Sequence, residues 1–182
     1  MRTRLAIIAV VLAPLSARAD LHLGAQVNVM PVGTIEAGAI STDAAVAFGL
    51  QGFIDYGLTR NFYIGAAPQL ILNVKSKDSD SSAQELDLFG RVMLRLPVAP
   101  GIQLFGYLAP GYSVIFVPDK PPGVSNPTGF VLGFAGGISY SFTRELFLAG
   151  ELGYQIGFQS TDGNDFRSRY LHIGLALGVM IY

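Results

Sequence analysis

From Leu146 to Gln159 the chain alternates almost without a break. Leu146, Leu148, Gly150, Leu152, Tyr154, Ile156 and Phe158 share one parity, while Phe147, Ala149, Glu151, Gly153, Gln155, Gly157 and Gln159 share the other. A period of two is the signature of a strand, here with one oily face and one small and polar face. The split recurs along the chain. Leu86, Leu88, Val92, Leu94 and Leu96 oppose Glu85, Asp87, Arg91 and Arg95, and Phe130, Leu132, Phe134, Ile138 and Tyr140 oppose Gly133, Ala135, Gly137 and Ser139. Near the start, Leu21, Leu23, Ala25, Val27 and Val29 oppose His22, Gly24, Gln26 and Asn28; near the end, Leu171, Ile173, Leu175 and Leu177 oppose Tyr170, His172, Gly174 and Ala176.

This pattern predicts eight strands, at about 21–30, 44–58, 62–75, 85–97, 102–117, 130–142, 146–160 and 169–182. The connections between them alternate in length. Residues 31–43, 76–84, 118–129 and 161–168 are long and polar or rich in Pro and Gly, whereas 59–61, 98–101 and 143–145 are tight. Two of the tight turns repeat a Thr-Arg pair, in LTRNF (Leu58 to Phe62) and FTREL (Phe142 to Leu146), each feeding an apolar strand. An even number of long strands with short turns at one end and longer loops at the other fits a transmembrane barrel. The expected fold is therefore all-β, an eight-stranded antiparallel up-and-down transmembrane β-barrel spanning residues 20–182.

Alternation alone does not say which face points outward. A soluble barrel of the lipocalin kind puts its aliphatic face inside, and a membrane barrel puts it outside. Strand length, the scarcity of Lys and Glu on either face, and the Gly and Ala packed into the polar face all favour the membrane barrel. A face exposed to water is normally dense in charge.

Composition sharpens this picture. The 182 residues are 51% hydrophobic and 14% charged, too apolar for disorder. A mean hydropathy of +0.44 would suit membrane helices, yet the one long apolar run is Leu5 to Leu15, well short of the roughly 20 residues a spanning helix needs. That run follows MRTR and precedes Ala17-Arg18-Ala19, the layout of a cleaved secretory signal over residues 1–19. Removing Arg2, Arg4 and Arg18 with it takes the formal charge from -1 to -4. No basic patch remains to suggest nucleic acid. The absence of cysteine excludes disulfide scaffolds and thiolate metal sites.

The segment ISYSFTRELFLAGELGYQIG (Ile138 to Gly157) and the terminal YLHIGLALGVMIY, which ends on Tyr182, resemble the small OmpA/OmpX-type outer-membrane β-barrel family. The resemblance covers residues 20–182 in architecture. It implies residence in the cell outer membrane of a Gram-negative bacterium, contact with outer-membrane lipid, and a monomer whose extracellular loops meet a surface ligand. Two features depart from that family. Tyr182 falls on the lumen parity, where the family's terminal aromatic faces lipid, and with no Trp the interfacial belts must use Tyr56, Phe62, Tyr140 and Phe142.

Candidate chemistry is sparse. Asp55, Glu85, Asp87, Arg91, Arg95 and Glu151 all lie on polar parities. They are expected to form a charge network that fills the lumen, because unpaired charge in a narrow interior costs on the order of several kcal/mol. The alternative is a narrow gated pore, which eight strands rarely leave room for. The two histidines, His22 and His172, raise the possibility of a barrel-embedded lipid-modifying enzyme, with Ser168 and Asp165 close to His172 in sequence. The chain has no G-x-S-x-G elbow, and the bland reading of both histidines is a lumen position without catalysis. Asp78, Asp80, Asp162 and Asp165 lack the spacing of a calcium loop. The proline-rich Pro118 to Gly129 suits surface recognition without specifying a partner. The expectation is a non-enzymatic outer-membrane barrel with a structural or surface-interaction role, with no catalytic, cofactor or metal site.

Overall fold

Nine strands form in the computed structural model, which describes residues 20–118, 123, 125–161 and 164–182. The expected signal at 1–19 lies outside the described residues. The strands are β1 (Leu21–Ala37), β2 (Ile40–Asp43), β3 (Ala47–Gly57), β4 (Phe62–Val74), β5 (Ala83–Ala99), β6 (Ile102–Phe116), β7 (Thr128–Ser141), β8 (Leu146–Thr161) and β9 (Asn164–Ile181). Every neighbouring pair in the order β1-β3-β4-β5-β6-β7-β8-β9 is antiparallel, and β9 returns to pair with β1. Eight strands thus close the barrel, leaving no open edge in the spanning region. β2 is a short extra rung on the far end of β1, with Ala37 opposite Ile40 across a turn that starts at Gly38.

The face assignment follows the alternation. Leu88, Leu152, Ile173 and Leu177 on the oily parity are each more than half exposed, while Glu85, Asp87, Gln155 and Tyr170 on the other parity are buried. An aliphatic exterior around a polar interior is the inverse of a lipocalin. Aromatic side chains bracket the oily band. Tyr112, Phe130 and Phe158 are cross-strand neighbours near one end, and Tyr140 meets Phe142 edge to face at 5.1 Å near the other. Phe130 and Tyr140 are ten residue steps apart on β7, about 33 Å of strand and ~23 Å of height at a ~45° tilt, close to the apolar band of an outer-membrane barrel.

The strands run further than the sequence pattern predicts. Residues 31–43 and 161–168 are expected as loops, yet β1 continues to Ala37, and β8 and β9 stay paired up to Thr161 opposite Asn164. The register between β1 and β9 slips between Val29 and Val32, which is a bulge at Met30-Pro31. One extra residue flips the parity, so that the buried positions change from His22, Gln26, Asn28 and Met30 to Ile35. The alternation therefore breaks at Pro31 although the ladder does not. A second bulge at Leu72-Asn73 places Asn73 at a φ of +65° and lets its side-chain amide donate to the Val46 carbonyl at 2.7 Å.

Tyr182 lies just past β9, two-thirds exposed, and its hydroxyl donates to the Arg144 carbonyl at 2.9 Å. It occupies neither the lumen nor a strand face. It ties the chain end to the β7–β8 turn.

Candidate functional site

Among the described residues the lumen gathers the buried polar side chains, and glycine sets its geometry. Asp55 on β3 is the register partner of Gly65 on β4, and Gly65 is in turn the partner of Arg91 on β5. The Arg91 side chain crosses over Gly65 to reach Asp55. Its Nε donates to Asp55 Oδ1 at 3.1 Å and Nη2 donates to Oδ2, a two-point contact between fully buried groups. A Cβ at position 65 would collide with Asp55 Oδ1 and the Ile54 carbonyl. The guanidinium also lies 4.8 Å from the Phe53 ring centre and 5.0 Å from that of Tyr107.

Glu151 is flanked by glycine on both sides, Gly137 on β7 and Gly174 on β9. Into that space come Gln26 Nε2 and the Tyr107 hydroxyl, donating to Glu151 Oε1 at 2.6 Å and 2.7 Å, with His172 Nε2 at 3.2 Å. Gln26 also donates to Asn28 Oδ1 at 2.7 Å. Glu151 thus anchors a hydrogen-bonded network of its own and does not bind Arg91.

Towards the tight-turn rim the lumen turns aromatic. Arg95 makes no ion pair among the described residues, which corrects the expectation that it joins a charge zip. Its guanidinium sits 5.3 Å from the ring centres of Tyr63 and Phe147 and 5.9 Å from Phe105. The register explains this, since the β6 partner of Arg95 is Phe105 and the next lumen position in that row is Gly137. Ring faces, with their negative quadrupole, take the place of a carboxylate. His22 packs 4.9 Å from Tyr63 and 5.6 Å from Phe147, and the Tyr63 hydroxyl donates to Asp20 Oδ2 at 2.9 Å. The two histidines do not meet: His22 is opposite Met180, eight residues along β9 from His172.

Towards the other rim lie Glu85 and Asp87, both fully buried. Ser113 Oγ and Gln159 Nε2 donate to Glu85 Oε1 at 2.8 Å and 3.0 Å, and Gln155 Nε2 donates to Asp87 Oδ2 at 2.6 Å. Neither carboxylate meets an arginine among the described residues, so the six expected charges divide into four separate groups: Asp55 with Arg91, Glu151, Arg95, and Glu85 with Asp87. Between the Arg91 and Arg95 levels the interior leaves a cavity of about 10 Å³, bordered by Gln26, Phe53, Arg95 and Glu151, room for about one water.

Sequence reasoning missed the neutral partners Gln26, Tyr107, Ser113, Gln155 and Gln159. A signal for them existed. Gln26, Gln51, Gln69, Gln155 and Gln159 all fall on the lumen parity, and a row of buried amides, each with donors and an acceptor, announces a hydrogen-bonded interior.

No family model and no curated protein matches the sequence. Solved structures do match. Neisserial surface protein A (NspA) superposes with a TM-score of 0.64 at 14% identity, covering 86% of this chain and 95% of that one. OprG from Pseudomonas aeruginosa superposes with a TM-score of 0.62 at 12% identity, covering 90% and 96%. The fold is that of the small outer-membrane β-barrels. At these identities the likeness to OmpA/OmpX-type proteins is one of architecture, and the lumen chemistry has to be read from this chain's own residues.

Proposed function

We propose that the chain is a monomeric, integral outer-membrane protein of a Gram-negative bacterium, exported through a cleaved signal. On this reading it has no enzymatic role, its lumen is closed, and it acts through its extracellular rim on a surface ligand. The aliphatic exterior between two aromatic girdles supports contact with outer-membrane lipid.

One observation carries the closed lumen. The Asp55–Arg91 pair, the Glu151 network and the aromatic cage around Arg95 span the interior and leave a cavity of only about 10 Å³ between them. Nothing larger than a water fits there. The same layering argues against a lipid-modifying enzyme. His22 and His172 are buried inside the barrel, and the polar partner of His172 is Glu151. Neither imidazole reaches the lipid face.

Reconstitution into planar bilayers tests this reading. Purified, folded protein should leave the conductance at its baseline, and proteoliposomes should not swell in small sugars. A steady single-channel conductance at neutral pH would replace the closed barrel with the pore.

A further inference from the structure

The lumen charges do not balance along the barrel axis. Asp55 and Glu151 share the middle and tight-turn half with Arg91 and Arg95. Glu85 and Asp87, nearer the other rim, share their level with no Lys, Arg or His side chain in ion-pair contact among the described residues. They sit two residues apart on one face of β5, with their carboxyl groups close enough to interact. Apolar Ile71 and Ile115, each buried, are the strand partners of Glu85 on either side. Two carboxylates in such a wall are costly unless something positive joins them.

Independent groups point to the same spot. Glu85 Oε2 and Asp87 Oδ1 have no hydrogen-bond partner among the described residues. Gln159, 3% exposed, places its amide on Glu85 through Nε2 and leaves Oε1 without a partner. The Tyr170 hydroxyl, on a side chain with no exposure, is likewise unpartnered and has Glu85 and Asp87 as its charged neighbours. Ser168 Oγ, also fully buried and unpartnered, lies beside Gln159 across Gly157. These donors are all oxygen, with no imidazole or thiolate among them. Such a set selects a hard cation over a transition metal.

We propose that Glu85 and Asp87, completed by Gln159 Oε1 and the hydroxyls of Tyr170 and Ser168, form a lumen site for one calcium-class divalent cation. Access is from the mouth. Gln159, which touches Glu85, also borders a cavity of about 440 Å³ at the mouth, together with Glu36, Asp165, Arg167 and the outward-facing Phe158. Bound, the ion neutralises the dyad and joins β5 to β8 and β9, and because the unfolded chain has no such cage, it raises the stability of the barrel.

Terbium, a luminescent calcium surrogate excited through nearby tyrosine, reads the site directly in the folded, detergent-solubilised protein. Emission should saturate at one ion per barrel and be displaced by calcium. Glu85→Gln and Asp87→Asn should each weaken binding by at least about tenfold. Tyr170→Phe should dim the emission and also weaken calcium binding, because it removes a sensitising phenol and a hydroxyl ligand together. A variant with Asp78→Asn and Asp80→Asn should bind as the parent does.

Folding of each variant is checked by the faster gel migration of an unheated barrel. A second measurement needs no variant: calcium should raise, and a chelator lower, the temperature at which that fast band is lost. Signal that survives in the Glu85→Gln and Asp87→Asn variants, or that vanishes with Asp78 and Asp80, overturns the site. So does a parent protein whose band-shift temperature ignores calcium, which would leave a proton shared between the two carboxyl groups as the neutralising partner.

Discussion

At the scale of residues, the lumen is organised by what is missing from Gly65. Asp55 and Arg91 stand two strands apart, and their contact exists because the position between them has no side chain. An added Cβ there meets Asp55 Oδ1 and a carbonyl of the neighbouring strand, so Gly65→Ala should push the carboxylate off the guanidinium. Breaking a buried pair of this kind costs on the order of 3 kcal/mol. The temperature at which the fast-migrating gel band disappears should fall clearly for Gly65→Ala, and about as far for Arg91→Leu. Gly150→Ala, where a Cβ meets nothing within 4 Å, should leave it unchanged or raise it slightly. Equal behaviour of the two glycine variants would mean that the Asp55–Arg91 contact does not hold the barrel. Alternation revealed that Arg91 faces inward, but its partner was illegible. Choosing between Asp55 and Glu151 depends on the strand register and on which lumen position is glycine, and a parity count contains neither.

At the scale of elements, the repeated Thr-Arg turns show how much a short motif determines. Thr59 Oγ1 accepts from the backbone N–H of Asn61 at 3.3 Å and of Phe62 at 3.1 Å, while Thr143 Oγ1 accepts from Glu145 at 3.1 Å and Leu146 at 3.0 Å. In both turns the N–H groups at Leu58 or Phe142 and at the threonine donate back to the carbonyl four or three residues ahead. The same hydroxyl thus closes two hairpins with one geometry, mimicking a backbone turn. Thr143→Val keeps the shape and removes the acceptor, at a cost of about 1 kcal/mol, and Thr143→Ser should restore most of it. Urea unfolding in detergent, followed by the same gel shift, should order the three as parent, Ser, Val. A Val variant as stable as the parent would show that strand pairing alone sets this turn. These tight turns were readable because their signals are local. The extended ends of β1, β8 and β9 were not, because the bulge at Met30-Pro31 inverts the parity, and beyond the oily band neither face has to be apolar.

At the scale of the whole molecule, the two rims differ in kind, and the difference sets an orientation. One rim carries the turns at Thr59, Gly101 and Thr143 together with Asp20 and Tyr182. The other carries the β1–β2 hairpin, the ends of β8 and β9, the exposed Lys77–Asp43 ion pair at 3.0 Å and the half-buried Arg169–Glu36 pair at 3.2 Å. In barrels of this architecture the short turns face the periplasm and the longer connections face outward. The rim with Glu36 and Lys77 is therefore expected at the cell surface, which also places the mouth leading to Glu85 in contact with the medium. A cysteine replacing exposed Ser82 should react with a membrane-impermeant maleimide on intact cells. One replacing exposed Arg60, in the first Thr-Arg turn, should react only after the outer membrane is permeabilised. The chain has no native cysteine, so either label reports its own site. The reverse labelling would invert the barrel, turn the acidic half of the lumen towards the periplasm, and make periplasmic ions the ones that reach Glu85 and Asp87.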